Sequence, residues 1–214
     1  MVLSQTRIMS SPDGKYVEKR YNGTGSIKWL LSPPFRMFYP FAVLPESRLE
    51  REVGFLESSS DVKKPRLYSC DREKRSIKRE YIEGRQDYTD GAGVGAALSS
   101  IHSEGYVIGD TKLSNFLSSD DGCYIIDAEQ AIQSDKKRHR VWDATFALVS
   151  SSYYNYPKIE SFKKFVDGFA SSYKYWEEYE DELLKGPSPI FLLLLPIQHR
   201  YLYKKLLKDM IGKS

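Results

Sequence analysis

Ile108-Gly-Asp-Thr-Lys-Leu-Ser-Asn115, followed by Phe116-Leu-Ser118, Asp120-Asp-Gly122 and Cys123-Tyr-Ile-Ile-Asp127, is the stretch on which the fold turns. Two short apolar runs flank Asp-Asp-Gly, the composition of a tight β-hairpin. In an antiparallel hairpin, positions whose numbers have a constant sum lie opposite each other. With residue 121 at the centre, Asn115 faces Asp127 across the base of the hairpin. A carboxamide oxygen and a carboxylate then converge, as a hard divalent cation requires.

Upstream, Asp110 lies in a loop that leaves a long helix. A carboxylate beside a metal site can orient a hydroxyl and accept its proton. Lys112, two residues on, can neutralise charge on a transferring phosphoryl group. Together these side chains are the parts of a phosphoryl-transfer centre.

The helix before the loop runs from Asp90 to Ser103, with Val94, Ala97, Leu98 and Ile101 on one face. Asp90 can cap its start and Gly105 can end it in a left-handed conformation. The Gly91-Ala-Gly-Val-Gly95 run follows no apolar strand, so it reads as close helix packing rather than a dinucleotide loop.

Further out, Val2 to Met9, the turn Ser10-Ser-Pro-Asp-Gly14 and Lys15 to Tyr21 read as a hairpin. Lys15, Val17, Lys19 and Tyr21 share one face of the second strand, so Lys19 projects in partly apolar company. From Ser47 to Ser58, Leu49, Glu52, Val53 and Leu56 fall at helical spacing, which sets Glu52 inside an apolar stripe. A carboxylate there requires a cation, and Lys19 is the candidate. Glu50 and Glu57 lie on a wet face.

Residues 22–46 read as an irregular connection, 61–75 as a solvated loop, and Ser76 to Ile82 as a strand ending at Glu83-Gly84. After residue 127 the chain reads as all-helical, with helices within Val141–Val149, Ile159–Leu184 and Ile197–Ile211. His102 reads as closing a helix end, Lys136-Lys-Arg-His-Arg140 as a solvated basic loop, and the aromatics of 172–179 as helix packing. Glu129 stands open between assisting a metal and an exposed carboxylate.

With 214 residues, 41% of them hydrophobic, the chain can bury a sizeable core. A net charge of +3 gives no reason to assume a nucleic-acid partner. Cys70 and Cys123 form neither a disulfide framework nor a zinc site. Met1 to Ser11 lacks the apolar run of a signal peptide, and Ile190 to Leu195 is too short to span a bilayer. The expectation is a soluble, cytoplasmic protein with no membrane partner.

Asp110-Thr-Lys-Leu-Ser-Asn115 resembles the catalytic loop of protein kinases, H-R-D-L-K-x-x-N, and Ile125-Ile-Asp-Ala-Glu129 resembles the metal-binding D-F-G segment in its D-x-E variant. Val17-Glu-Lys19 then matches the strand lysine motif, and Arg48 to Leu56 the helix that carries its glutamate, Glu52. Glu80-Tyr-Ile-Glu-Gly84 looks like the hinge, and Asp143 like the buried aspartate that braces the catalytic loop. The similarity runs in order from about residue 15 to residue 150. It is closest in pattern to the small atypical kinases: the kinase of the tRNA-threonylcarbamoylation (KEOPS) complex, the RIO kinases and the lipopolysaccharide-core kinases.

The resemblance implies an α+β, bilobal, minimal protein-kinase-like fold, with a β-rich lobe over 1–84 and a helical lobe over 85–214. It implies ATP as phosphoryl donor and Mg²⁺ (or Mn²⁺) held by Asn115 and Asp127. Lys19, fixed by Glu52, would hold the phosphates, and backbone groups of Glu80 and Ile82 the adenine. Asp110 and Lys112 would be catalytic. The expected activity is that of an atypical Ser/Thr protein kinase acting on a protein, itself included. The alternatives are a kinase-like ATPase subunit of an RNA-modification or ribosome-assembly complex, with a protein or RNA partner, and a nucleotide-binding pseudokinase scaffold.

Three departures bear on this. Ile108 and Gly109 replace the usual His-Arg, so there is no arginine to receive a phosphorylated activation loop. No G-x-G-x-x-G precedes Lys19. Lys78 and Arg79 stand where kinases place apolar residues beside adenine.

Overall fold

The computed structural model describes residues 6–12, 14–22, 35–58, 61–176, 178, 197, 200 and 201. Within them the chain is a mixed α+β protein with antiparallel sheets. β1 (Thr6–Ser11) folds back on β2 (Gly14–Arg20), with Thr6 opposite Lys19. Burial alternates along β2 as expected: Val17, Lys19 and Tyr21 go inward.

Helix α1 (Pro45–Glu57) begins with proline in its first turn, where a missing N–H costs nothing. Leu49, Glu52, Val53 and Leu56 are buried, as the spacing predicts, and Arg48 and Phe55 join them. Its last carbonyls are covered by the Lys64 ammonium, 2.7 Å from the oxygens of both Phe55 and Ser58.

Strand β3 (Leu67–Asp71) pairs with β4 (Ser76–Glu80), and the sheet order is β1-β2-β4-β3. Residues 61–75 are therefore not simply a solvated loop. Within them Leu67–Asp71 forms an edge strand, and the charges, Asp71 apart, flank it.

Helix α2 (Gly91–Ser103) is capped by Asp90, which accepts from the Gly93 N–H at 2.7 Å, and Gly105 follows it at φ +77°. The glycines do serve close packing. A Cβ on Gly91 would stand 1.8 Å from the Phe165 carbonyl oxygen, and one on Gly95 would stand 2.7 Å from that of Phe169.

β5 (Tyr106–Val107) pairs with β8 (Ile132–Gln133), so the chain past residue 127 is not wholly helical. Between them a 3₁₀ turn (Leu113–Asn115) leads into β6 (Phe116–Ser119) and β7 (Gly122–Ile125). Phe116 pairs with Ile125 and Ser119 with Gly122, so the loop is the two residues Asp120 and Asp121, and the centre lies between them. Asn115 consequently stands opposite Ile126, whose N–H donates to the Asn115 carbonyl at 2.8 Å, and not opposite Asp127.

Helix α3 (Lys137–Asn155) is longer than expected and takes in most of the basic run, with His139 buried. Helix α4 (Ile159–Ser172) turns Phe162, Phe165, Val166 and Phe169 inward at i, i+3, i+4 and i+7, then stops at Tyr173. The longer helix expected to Leu184 ends there, and its residues 179–184 lie outside the described residues. So do the apolar stretch Ile190–Leu195 and nearly all of the expected helix Ile197–Ile211. Tyr173 and Trp176 pack on Phe169, as anticipated for the 172–179 aromatics. A contiguous apolar core runs from Tyr21, Leu49 and Ile77 to Leu98, Ile101, Leu148 and Phe165. Among the described residues, no helix is long and apolar enough to cross a membrane.

Candidate active site

Lys19 lies at the meeting point of three carboxylates. Its Nζ is 2.5 Å from Glu52 Oε2, 2.9 Å from Asp127 Oδ1 and 3.6 Å from Glu129 Oε2. The pairing of Lys19 with Glu52 expected from β2 and α1 is present, and Asp127 joins it from beyond β7. Tyr21, on the same face of the chain as Lys19, donates to Glu52 Oε2 at 2.6 Å.

Burial acts to strip the Lys19 ammonium of its proton, but the carboxylates of Asp127, Glu52 and Glu129 outweigh it and hold its pKa above the ordinary lysine range. Burial also raises the Glu52 carboxyl, with Lys19 pulling the other way. A shared ammonium at these distances is that of a charged lysine.

Oxygens of Glu52, Asp127 and Glu129 lie within 4.8 Å of one another. The Lys19 ammonium lies among them, so one cation already faces this group of carboxylates. Glu129 is not an exposed carboxylate: it is 1% exposed and takes Arg48 Nη1 at 3.1 Å. Arg48, fully buried, also donates to the Asn22 carbonyl at 2.8 Å. Neither Arg48 nor the burial of Glu129 was foreseen. The available signal was that Arg48 lies one helical turn before Glu52 and shares its face.

The loop carrying Asp110 is held from below. Asp143 on α3 accepts the N–H groups of Ile108 and Gly109, each at 2.6 Å, one on each carboxylate oxygen. Thr111 donates to the Asp143 carbonyl at 2.7 Å, and Trp142 Nε1 to the Gly109 carbonyl at 2.8 Å. His102 does more than close a helix end: its ring bridges Asp143 Oδ2 at 3.1 Å and the Tyr173 hydroxyl at 2.9 Å. Gly109 takes φ +77°, and a Cβ there would also fall 2.3 Å from the Tyr39 ring.

On this base Lys112 Nζ donates to Asp110 Oδ2 at 3.2 Å. Burial opposes its charge, yet the carboxylates of Asp110 and then Asp127 raise its pKa. Asn115 Nδ2 donates to the Asp110 carbonyl at 2.8 Å, which turns the amide oxygen the other way. Among the described residues nothing donates to that oxygen. Asp127 is a quarter exposed, and its carboxylate and that amide are both oxygen donors of the kind a hard cation takes. Asp110, Lys112 and Asn115 thus form one group, and Lys19, Glu52 and Asp127 another beside it.

The expected base-binding residues fare unequally. The Glu80 N–H is committed to the Arg66 carbonyl at 2.9 Å. The Ile82 backbone makes no hydrogen bond among the described residues. Of the two cations in β4, Lys78 faces out and Arg79 is buried.

No protein-family model matches the chain, and no curated protein matches its sequence.

Proposed function

We propose that this chain is a nucleoside-triphosphate-dependent phosphotransferase of minimal, bilobal, protein-kinase-like build. The observation that carries the reading is the Lys19 ammonium held between Glu52 and Asp127, next to a braced loop bearing Asp110, Lys112 and Asn115. A buried lysine fixed by a helical glutamate and aimed at a second carboxylate is a ready anion clamp for the phosphates of ATP, the donor that the resemblance implies. Asp110 is the base or orienting group for the acceptor hydroxyl, and Lys112 balances charge on the transferred phosphoryl. Asn115 and Asp127 would hold Mg²⁺, which would neutralise charge on the donor phosphates.

The D-x-K spacing of Asp110 and Lys112 favours a Ser or Thr hydroxyl of a protein, this chain included. The short stretch from Asp127 to the buried Asp143 supports an enzyme without a phosphorylation-controlled activation loop.

The test is transfer from γ-labelled ATP or GTP with Mg²⁺, to the chain itself and to generic protein acceptors. Wild type is expected to transfer label, and both Asp110→Ala and Asp127→Ala to lose it by at least about a hundredfold. Asp127→Ala is also expected to lose metal-dependent nucleotide affinity. Equal labelling in all three proteins would overturn the assignment. Nucleotide binding without turnover would favour the scaffold reading, and turnover only with a protein or RNA partner the ATPase-subunit reading.

A further inference from the structure

Among the described residues, Arg79 is a buried arginine for which no hydrogen-bond acceptor is provided. In the ladder between β2 and β4, Arg79 lies opposite Val17 and Ile77 lies opposite Lys19. Residues paired across an antiparallel ladder project to the same face. Arg79 therefore shares the inward face with Val17, Lys19 and Ile77, all of them buried.

Only 5% of Arg79 is exposed, and its Nε is buried without a hydrogen-bond partner. Among the described residues no group accepts from its guanidinium. Glu52 feels its charge but takes its hydrogen bonds from Lys19 and Tyr21. With Nε buried and no acceptor for the guanidinium among the described residues, these donors call for an acceptor from outside the chain.

Its position says which part of a ligand that is. Arg79 lies two residues along β4 from the partner of Lys19, about 7 Å at strand spacing, toward Glu80, where the strand ends. Where Lys19 holds phosphates, the group reached at that remove is the nucleobase. A guanidinium offers donors only, in a planar fork. Guanine presents two acceptors on one edge, O6 and N7, whereas adenine places its amino donor beside N7.

We propose that Arg79 reads the base edge and selects guanine, making GTP the preferred donor over ATP. This rests on the phosphotransferase reading and names the donor of that same site.

Calorimetric titration of the full chain with GTP, ITP and ATP in Mg²⁺ tests it, on wild type, Arg79→Met and Arg79→Lys. ITP keeps O6 and N7 and lacks the 2-amino group, so it isolates the edge without any substitution. Wild type is expected to bind GTP and ITP at least about tenfold more tightly than ATP. Arg79→Met should abolish that preference, and Arg79→Lys, which keeps the charge and loses the fork, should narrow it. ATP bound as tightly as GTP by wild type overturns the proposal. So does a preference for GTP that ITP does not share, or one that survives in Arg79→Met. If Arg79→Met does not fold, the wild-type comparison decides alone. Phosphoryl transfer with ATP preferred would overturn the base assignment only; no binding of any triphosphate would overturn the phosphotransferase reading with it.

Discussion

Lys19 and Asp127 are 108 positions apart in the chain and 2.9 Å apart in space, and their contact ties the first sheet to the segment after the hairpin. The ammonium is shared with Glu52, while Arg48 takes the same Glu129 oxygen, Oε2, that Lys19 approaches. Three carboxylates face the Lys19 and Arg48 cations, so removing either cation leaves the acids less compensated.

Lys19→Met is expected to destabilise the fold by about 3–5 kcal/mol, the range for breaking a buried ion pair from one side. Glu52→Gln added to it should recover part of that loss, because one stranded carboxylate is neutralised. Urea unfolding at pH 7 measures both. A double variant less stable than Lys19→Met would show that the carboxylates are not what Lys19 balances.

The alkaline side of the pH profile follows from the same cluster. The folded pKa of Lys19 lies above its ordinary value of 10.5, so its stabilisation is fully present below that value. It is lost only as pH rises through the higher folded value. Stability and Mg²⁺–nucleotide affinity should therefore show no lysine titration between pH 7 and about 10. A midpoint near pH 9 that disappears in Lys19→Met would contradict this.

Asp143→Asn replaces one of two carboxylate oxygens with an amide nitrogen that cannot accept. One of the Ile108 and Gly109 N–H groups then loses its partner in a fully buried setting. The expected loss is about 1–3 kcal/mol. Amide hydrogen exchange should speed up at residues 108–111 before it does so in α2. Unchanged protection there would mean that the loop is held by Thr111 and Trp142 instead.

Gly109→Ala meets two obstacles, a left-handed backbone and the Tyr39 ring. The backbone alone costs about 1–2 kcal/mol. In wild-type background the loss should exceed that figure, and in a Tyr39→Ala background it should fall back to it. Thermal unfolding of the four proteins closes the cycle. Equal losses in both backgrounds would remove the ring from the explanation.

The parts of this site that could be read from sequence were those that break a local pattern. Lys19 on an apolar strand face and Glu52 on an apolar helix face each imply a missing partner, and each proved to be the other's. The hairpin showed in its composition, but its register slipped by one because a loop of two residues and one of three leave similar traces. β3 hid because it is only five residues long and flanked on both sides by charges, a pattern that local composition does not separate from a loop. Arg48, Glu129 and Arg79 were hidden for another reason. Whether a charge is buried depends on partners far away in the chain, and a lone arginine in a basic stretch has the look of a solvated one.

The contact between α2 and α4 carries a mechanical consequence. With Gly91 and Gly95 laid against the carbonyls of Phe165 and Phe169, and Gly168 against Ala92, the two helices touch through their main chains. A joint with no side chains between its halves has no cushion to slide on. Any relative movement must then be taken up elsewhere; the span from Tyr81 to Thr89 is tied to the hairpin through the Arg85–Ser118 bridge and the Ser119 bond to Glu83, and to α3 through Asn155 and Tyr154.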